Sequence, residues 1–297
     1  MKVRIGVGTG TLPAAGLGPL VASLERLEVD SLWLSEQLSA PSVEPMSGMA
    51  FALARTSRLK VGTGVVVLPG RNPVLFAKEL ASLALLAPRR VLPAVGLGPA
   101  RKSERSAFPV PPGRRGAVFD EALAVVRRLL AEETVTFRGE FFAFENIGLG
   151  ERPARPPDLW LGGAVPAALE RVGRYGDGWL ASRLTAAETR AGIAAINRAA
   201  ANAGREIEQD HFGLSLPVAF GALPDATAAA LKARRPDVDP AELVPVGWPA
   251  IRAAVERYVL AGVTKFVLYP VIGPDGWDAF LDEFVQHARP LETPASQ

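Results

Sequence analysis

The sequence predicts a single (β/α)8 barrel, and three observations support that fold. The chain has 297 residues, a length that suits one elaborated α/β barrel. Eight short and almost continuously apolar segments recur along it, as expected for parallel strands that are buried on both faces. Amphipathic helical segments separate most of them, and this alternation is typical of parallel α/β folds. An open, doubly wound sheet is the alternative.

The apolar segments define the strands in chain order, and the spacing of large apolar side chains defines the helices between them. The predicted strands are Arg4–Gly8, Ser31–Leu34, Leu59–Leu68, Val91–Val95, Asp158–Leu161, Gly178–Ala181, Phe212–Phe220 and Lys265–Pro270. The predicted helices are Leu17–Glu28, Pro73–Leu86, Arg115–Ala131, Val165–Arg174, Ala186–Ala203, Pro249–Leu260 and Trp277–Ala288.

Two insertions and a tail extend this minimal barrel. The segment Thr134–Phe144 predicts a small hairpin before the fifth strand, with Arg138-Gly139 as its turn. The Pro-interrupted segment Pro224–Gly247 predicts an insertion after the seventh strand. Residues 1–288 are predicted to form one domain, and residues 289–297, which include two prolines, a flexible C-terminal tail.

The composition excludes several kinds of function. The chain has 33 Lys and Arg against 31 Asp and Glu, and a net charge of +2 does not indicate nucleic-acid binding. It has no Cys, which excludes thiolate nucleophiles and Cys-ligated metals. Its two histidines, His211 and His287, cannot form a three-His site, so no metal is predicted. No apolar run is long enough to span a membrane and the first residues read as a strand, so we expect a cytoplasmic protein.

Three predicted strands end in glycine-rich segments, at the end of the barrel where such folds place their chemistry. These are Gly8-Thr9-Gly10, Gly96-Leu97-Gly98 and Gly162-Gly163-Ala164. Glycines let backbone N–H groups approach a ligand, and the third segment also precedes a predicted helix whose N-terminus favours anions. We therefore predict a phosphate site at Gly162–Ala164. The alternative is that these glycines only form tight turns.

Six segments together resemble the superfamily of bacterial-luciferase-like monooxygenases and coenzyme F-420-dependent oxidoreductases. They are VDSLWLSEQ (29–37), RLKVGTGVVVLPGRNPVLFAKELASL (58–83), RRVLPAVGLG (89–98), RRGAVFDEALAVVRRLL (114–130), VTFRGEFFAF (135–144) and PPDLWLGGAVPAALERVGRYGDGW (156–179). The resemblance covers nearly the whole chain. It implies a TIM barrel that binds FMN or coenzyme F-420, usually as a homodimer, and that catalyses hydride transfer or flavin-dependent oxygenation.

The resemblance also implies roles for individual residues. Gly162, Gly163 and Ala164 match the superfamily's phosphate-binding loop after the fifth strand. Gly64 and Val65 match the third-strand position where a non-prolyl cis peptide often lies under the cofactor ring. In the alternative, Gly64 forms a bulge that binds no ligand. Gly96 and Gly98 match the turn that opens the fourth-strand loop near the cofactor.

The chain departs from its relatives at Glu36 and Gln37, where many deazaflavin-using members carry an Asp-His pair. Gln37 can form hydrogen bonds but cannot shuttle a proton at neutral pH. Glu36 could do so if desolvation raised its pKa. In the alternative, Glu36 pairs with an Arg at the barrel rim, such as Arg71 or Arg183. We carry both Glu36 and Gln37 forward as candidate catalytic residues.

A second departure is the basic segment that follows Gly98. Arg101 is its candidate cofactor-binding residue, because a positive field suits a flavin phosphate or the polyglutamate tail of coenzyme F-420. The alternative is a solvated loop. Tyr269, near the end of the eighth strand, is either a pocket residue or a core residue.

These observations predict an oxidoreductase that transfers hydride between coenzyme F-420 and a small organic substrate. One alternative is an FMN-dependent monooxygenase that takes reduced flavin from a partner reductase. The other is a non-catalytic barrel that binds a flavin or deazaflavin, which the missing Asp-His pair motivates.

Overall fold

The structure is a computed structural model, and it describes residues 2–99, 101–272 and 276–294. Its strands are β1 (Arg4–Gly8), β2 (Ser31–Leu34), β3 (Lys60–Thr63), β4 (Val66–Val67), β5 (Val91–Leu92), β6 (Ala94–Gly96), β7 (Val135–Arg138), β8 (Ala143–Ile147), β9 (Trp160–Gly162), β10 (Gly178–Ser182), β11 (Phe212–Ala219) and β12 (Lys265–Ile272). Its α-helices are α1 (Ala14–Arg26), α2 (Pro45–Ala54), α3 (Pro73–Leu86), α4 (Arg115–Ala131), α5 (Pro166–Tyr175), α6 (Ala186–Asn202), α7 (Asp225–Arg234), α8 (Pro240–Leu243), α9 (Gly247–Leu260) and α10 (Trp277–His287).

The parallel strands close into a barrel that has two interrupted strands. Only Gly64 and Val65 separate β3 from β4, and only Pro93 separates β5 from β6, so each pair is one barrel strand. β3 pairs with β5, β4 pairs with β6, and β6 pairs with β9. The strands β9 to β12 pair in order, and β12 pairs with β1, which continues to β2 and β3. The predicted parallel α/β barrel is thus confirmed, and these pairings exclude the open sheet.

The barrel has an apolar interior that forms a floor beneath the strand ends. Trp33, Ala94, Trp160, Leu180 and Val267 are all buried there and pack against one another. The rings of Trp33 and Trp160 meet edge to face, with their centroids 6.5 Å apart. A larger core between the strands and the surrounding helices encloses this barrel. Because the floor is solid, any ligand must bind above it, at the carboxyl ends of the strands.

The structure adds a helix between β2 and β3 that the sequence did not predict, and it shows which elements lie in the two predicted insertions. Helix α2 fills the connection between β2 and β3, and its first turn is capped by Glu44, whose carboxylate accepts a hydrogen bond from Ser47 N. The segment after β11 contains α7 and α8. The antiparallel pair β7 and β8 lies between α4 and β9.

The expected tail needs a correction in the part that is described. Residues 289–291 form a 3-10 helix, and the backbone of Val3 exchanges hydrogen bonds with Thr293. The Glu292 carboxylate accepts a hydrogen bond of 2.7 Å from Ile5 N. The chain up to residue 294 is therefore held against the barrel, while residues 295–297 lie outside the described part. Among the described residues, none of the helices is both long and apolar enough to cross a membrane.

Candidate active site

A cavity of about 500 Å³ lies at the carboxyl ends of the barrel strands. This volume is within the range of small-molecule and cofactor sites. Nine of the ten residues that the sequence singled out line it: Glu36, Gln37, Gly64, Val65, Gly96, Gly98, Gly162, Gly163 and Ala164. The fold thus brings together segments from the second, third, fourth and fifth barrel strands.

The peptide bond between Gly64 and Val65 is cis. Backbone and side-chain groups of the neighbouring strand hold this segment. Gly64 N donates to Leu34 O over 2.7 Å, and the Ser35 hydroxyl donates to Gly64 O over 3.1 Å. The interruption between β3 and β4 is therefore a hydrogen-bonded part of the barrel wall.

Two glycines leave room for the Val65 side chain. A Cβ atom on Gly96 would lie 2.5 Å from Val65 Cγ2, which is far below an ordinary carbon–carbon contact. A Cβ atom on Gly162 would lie 3.1 Å from Val65 Cγ1. Gly96 therefore requires glycine if Val65 is to keep its place, whereas a Cβ atom on Gly162 would be tight and would need a shift of only a few tenths of an ångström. Val65 presents an apolar surface to the cavity.

The loop Gly162–Ala164 leads into α5 and exposes unsatisfied backbone donors. Gly163 has φ of +114°, a conformation that glycine adopts readily, and its carbonyl accepts a hydrogen bond of 2.8 Å from Trp179 Nε1. In the described part of the chain, the N–H groups of Ala164 and Val165 have no hydrogen-bond acceptor, and no side chain caps α5. Such donors at a helix N-terminus suit an anion.

Glu36 forms the ion pair that was the alternative to its catalytic role. Glu36 as a whole is 5% exposed, its Oε2 accepts a 2.6 Å hydrogen bond from Val67 N, and its Oε1 pairs with Arg71 Nη2. The pairing with Arg71 is confirmed. Burial raises the pKa of Glu36, and this effect exceeds the lowering by Val67 N–H and Arg71. Both carboxylate oxygens hold β4 and its flanking loop in place.

The structure places the sequence's basic candidate away from the cavity. Arg101 is not among the described lining residues, and its guanidinium lies 3.9 Å from Glu104 Oε1. Glu104 is buried and in turn accepts a hydrogen bond from Ser39 N. The segment after Gly98 therefore contacts the loop that follows β2 through Glu104, and the role of Arg101 toward the cofactor stays a prediction.

Two arginines that the sequence did not identify as cavity residues line the cavity instead. Arg171 projects from α5, and its Nε donates to Asp120 Oδ1 over 2.5 Å. Arg183 follows β10 and has φ of +56°. Among the described residues no hydrogen bond or ion pair engages the Arg183 side chain. Tyr269 also lines the cavity, and burial raises the pKa of its hydroxyl while Arg183 opposes the shift, so the hydroxyl remains a donor at neutral pH.

Comparisons with known proteins agree on one family. The family model for luciferase-like monooxygenases matches residues 2–257. The chain is 28% identical to the F-420-dependent glucose-6-phosphate dehydrogenase of Kineococcus radiotolerans over 94% of this chain and 93% of that protein. It is 31% identical to the F-420-dependent hydroxymycolic acid dehydrogenase of Mycobacterium tuberculosis, over 59% of this chain and 51% of that protein.

Solved structures share the fold at lower sequence identity. An F-420-dependent secondary alcohol dehydrogenase superposes with a TM-score of 0.82 at 20% identity, covering 99% of this chain and all of that one. The monooxygenase RslO1 from Streptomyces bottropensis superposes with a TM-score of 0.79 at 20% identity, covering 97% of this chain and 99% of that one. Because the family model spans most of the sequence, the chain belongs to the luciferase-like monooxygenase family.

Proposed function

We propose that this chain is an F-420-dependent oxidoreductase that transfers hydride between the deazaflavin and a small organic substrate. The proposal rests on one cavity that has two features. The first is the apolar surface of Val65, for which Gly96 and Gly162 leave room. The second is the loop Gly162–Ala164, whose backbone N–H groups can bind an anion. The names of the sequence relatives support F-420 over FMN.

The residues present fit such a cofactor. A planar ring needs a flat apolar support, and Val65 offers one beside glycines that add no side chain. A phosphate needs donors, and Ala164 N and Val165 N have no acceptor among the residues that the structure describes. Arg171 also lines the cavity from α5, where its ion pair with Asp120 holds the guanidinium. When bound, the deazaflavin supplies the hydride chemistry, while the protein binds and orients it.

We assign Gln37 and Tyr269 to polar contact with the reacting part of the substrate, because both line the cavity and can donate hydrogen bonds. Glu36 takes a positioning role instead of the expected proton transfer. Its two oxygens are engaged by Val67 N and Arg71, and a proton donor must have a free oxygen that reaches the substrate.

Titration of cofactor-free protein with coenzyme F-420 and with FMN, followed by absorbance and fluorescence, tests the cofactor. We expect F-420 to bind more tightly. Tight binding of FMN with none of F-420 would overturn the proposal. The F-420-loaded protein is then mixed with secondary alcohols and sugar phosphates, and reduction of the cofactor is recorded at its visible absorption band.

An FMN-dependent monooxygenase supplied by a partner reductase is the second candidate, because monooxygenases are among the proteins that share this fold. Oxygen consumption with chemically reduced FMN distinguishes it from the first. A non-catalytic barrel is the third, and it predicts cofactor binding without turnover of any substrate in either assay.

We also propose a homodimer in the cytoplasm. The outer face of α3 carries Leu75, which is 62% exposed, and Leu86, which is 82% exposed. The two side chains lie about three helical turns apart on the same face. Light scattering of the purified protein measures the oligomeric state directly.

A further inference from the structure

We propose that Arg183 binds an anionic group of the substrate, and that Arg235 positions Arg183 for this task; this inference rests on the proposed function. The loop after β10 carries Arg183 to the cavity.

The cavity wall divides into two arcs around the barrel. The cofactor features lie on the arc from the third to the fifth barrel strand, at Val65 and the Gly162–Ala164 loop. The opposite arc, formed by β10, β11, β12 and β1, contributes Arg183, Ser215, Tyr269 and Gly8. Neighbouring positions of β10 and β11 pair Ser182 with Ser215, so polar side chains follow one another along this arc, above the apolar Leu180 and Val267. We assign it to the substrate.

The charges of the described lining residues leave one cation uncompensated. Glu36 is the single carboxylate among them, and it is paired with Arg71. Arg171 is paired with Asp120. Arg183 has neither an acidic partner nor a hydrogen-bond acceptor for its side chain in the described part of the chain. An unpaired guanidinium beside a partly enclosed cavity attracts an anion, and its planar donors match a phosphate or a carboxylate.

Side chains from three elements hold the backbone around Arg183. Arg235 Nη1 donates to Arg183 O over 3.0 Å, and Tyr258 Oη donates to Leu184 O over 2.6 Å. Thr185 N donates to Glu188 Oε2 over 2.8 Å. Three consecutive residues are thus each fixed by a separate side chain. The left-handed conformation of Arg183, which is unfavourable for a residue with a Cβ, persists because these bonds enforce it.

Arg235 connects this loop with the insertion after β11. It lies just beyond α7, and its Nη2 also donates to Glu188 Oε1 over 2.7 Å. One guanidinium therefore joins the carbonyl of Arg183, the capping carboxylate of α6 and the insertion. Loss of Arg235 would free the carbonyl of Arg183 without removing the Arg183 guanidinium, so its effect on the anion would come from a less well-fixed Arg183, which makes Arg235 a positioning residue.

Isothermal titration of F-420-loaded protein with matched probes tests the proposal. Glucose 6-phosphate is compared with glucose, and lactate with 2-propanol, so that each anion has a neutral counterpart. We expect Arg183→Ala to weaken binding of the better anion about 10- to 100-fold, since hydrogen bonds between charged groups are lost. Binding of F-420 and of the neutral probe should change less than about twofold. Arg183→Lys should retain part of the affinity.

Variants of Arg235 test the positioning role. Arg235→Gln should weaken the same anion about 3- to 10-fold, and the double variant with Arg183→Ala should bind no worse than Arg183→Ala alone. Arg234→Gln is the matched control, because Arg234 is exposed on the same segment. Thermal unfolding of each variant shows whether the fold is retained. Equal losses for anionic and neutral probes in Arg235→Gln would assign Arg235 a purely structural role and overturn this part.

Two results would overturn the assignment of Arg183. The first is an anion that binds the wild-type protein no more tightly than its neutral counterpart. The second is weaker F-420 binding in Arg183→Ala with unchanged binding of the anionic probe, which would place Arg183 on the cofactor. Failure of F-420 to bind the wild type overturns the proposed function instead, and the probe comparison is then made on FMN-loaded protein.

Discussion

The contact between Gly96 and Val65 leads to a prediction that separates the cofactor platform from the rest of the fold. A Cβ atom on Gly96 would lie 2.5 Å from Val65 Cγ2 and 3.4 Å from Val65 Cβ. Replacement by alanine therefore displaces the Val65 side chain into the cavity or forces the fourth-strand loop outward. Either movement disturbs the surface on which the cofactor ring is proposed to rest.

The size of the effect follows from this distance. Carbon atoms in contact prefer about 3.5–4.0 Å, so the Gly96→Ala variant requires a shift of about 1 Å. Overpacking of this kind costs about 1–3 kcal/mol. If the cofactor requires the original position of Val65, this cost appears in binding, and the Kd of F-420 rises about 5- to 100-fold. If instead the fourth-strand loop moves, the corresponding part of this free-energy cost lowers the Tm of the protein.

Two further variants provide the controls. Gly98→Ala changes the same loop, but its Cβ atom would have Arg115 Cδ at 4.0 Å as its nearest neighbour, so we expect its Tm to match the wild type. In the double variant Val65→Ala/Gly96→Ala, the close Cγ2 contact is gone and Val65 Cβ at 3.4 Å remains. The double variant should recover the Tm lost in Gly96→Ala. Fluorescence titration with F-420 and thermal unfolding are measured for all of them.

A Gly96→Ala protein with wild-type Tm and wild-type affinity for F-420 would contradict this prediction. The prediction would also be refuted if Gly96→Ala lost stability that Val65→Ala did not restore. The second result would mean that another contact of Gly96, and not the one with Val65, limits the size of its side chain.

Two more predictions concern carboxylates. Glu36→Ala should lower the free energy of unfolding by about 2–3 kcal/mol, because the N–H of Val67 and the guanidinium of Arg71 both lose their acceptor; denaturant titration measures this, and an unchanged stability would show that these two contacts are dispensable. Burial raises the pKa of Glu25, but bonds from the Ser57, Leu59 and Arg58 N–H groups and the Ser57 hydroxyl lower it from 4.5 to about 2 in net. A carboxylate with a depressed pKa stabilises the fold at pH values above its unfolded pKa, and this stabilisation is lost as the pH falls toward 2. Glu25→Gln should therefore lower the free energy of unfolding by about 1–2 kcal/mol at pH 7 and by little at pH 2. Glu256→Gln, at an exposed position, should lower it by little at either pH.

The strands of the barrel could be predicted from the sequence because their signal is local. Buried parallel strands are short apolar runs, and every barrel strand of the structure overlaps one of them. Helix α2 was missed because it lacks a polar face: PMSGMAFALA is apolar nearly all round, and Met46, Met49, Ala52 and Leu53 are buried. A helix without amphipathic periodicity resembles a loop or a strand when only the sequence is read.

The backbone part of the site could also be predicted, whereas most of its charged part could not. Glycines at strand ends mark close approaches of the chain, and Gly64, Gly96 and Gly162 all line the cavity. The direction of a long side chain depends on its tertiary partners. Arg101 lies near Glu104 outside the cavity, while Arg171 reaches the cavity from α5 with Asp120 as its partner. The sequence shows these arginines without showing their partners.

The partners also decide what the charges mean for function. The net charge of +2 suggests no affinity for any class of ligand. Within the described cavity wall, however, the acid of Glu36 is paired with Arg71 and the cation of Arg171 with Asp120, while Arg183 has no acidic partner. The proposed selectivity for an anion thus rests on one arginine beside the cavity that has no acidic partner among the described residues. Since the carbonyl of that arginine is held by Arg235, the insertion after β11 contributes to the choice of substrate without lining the cavity.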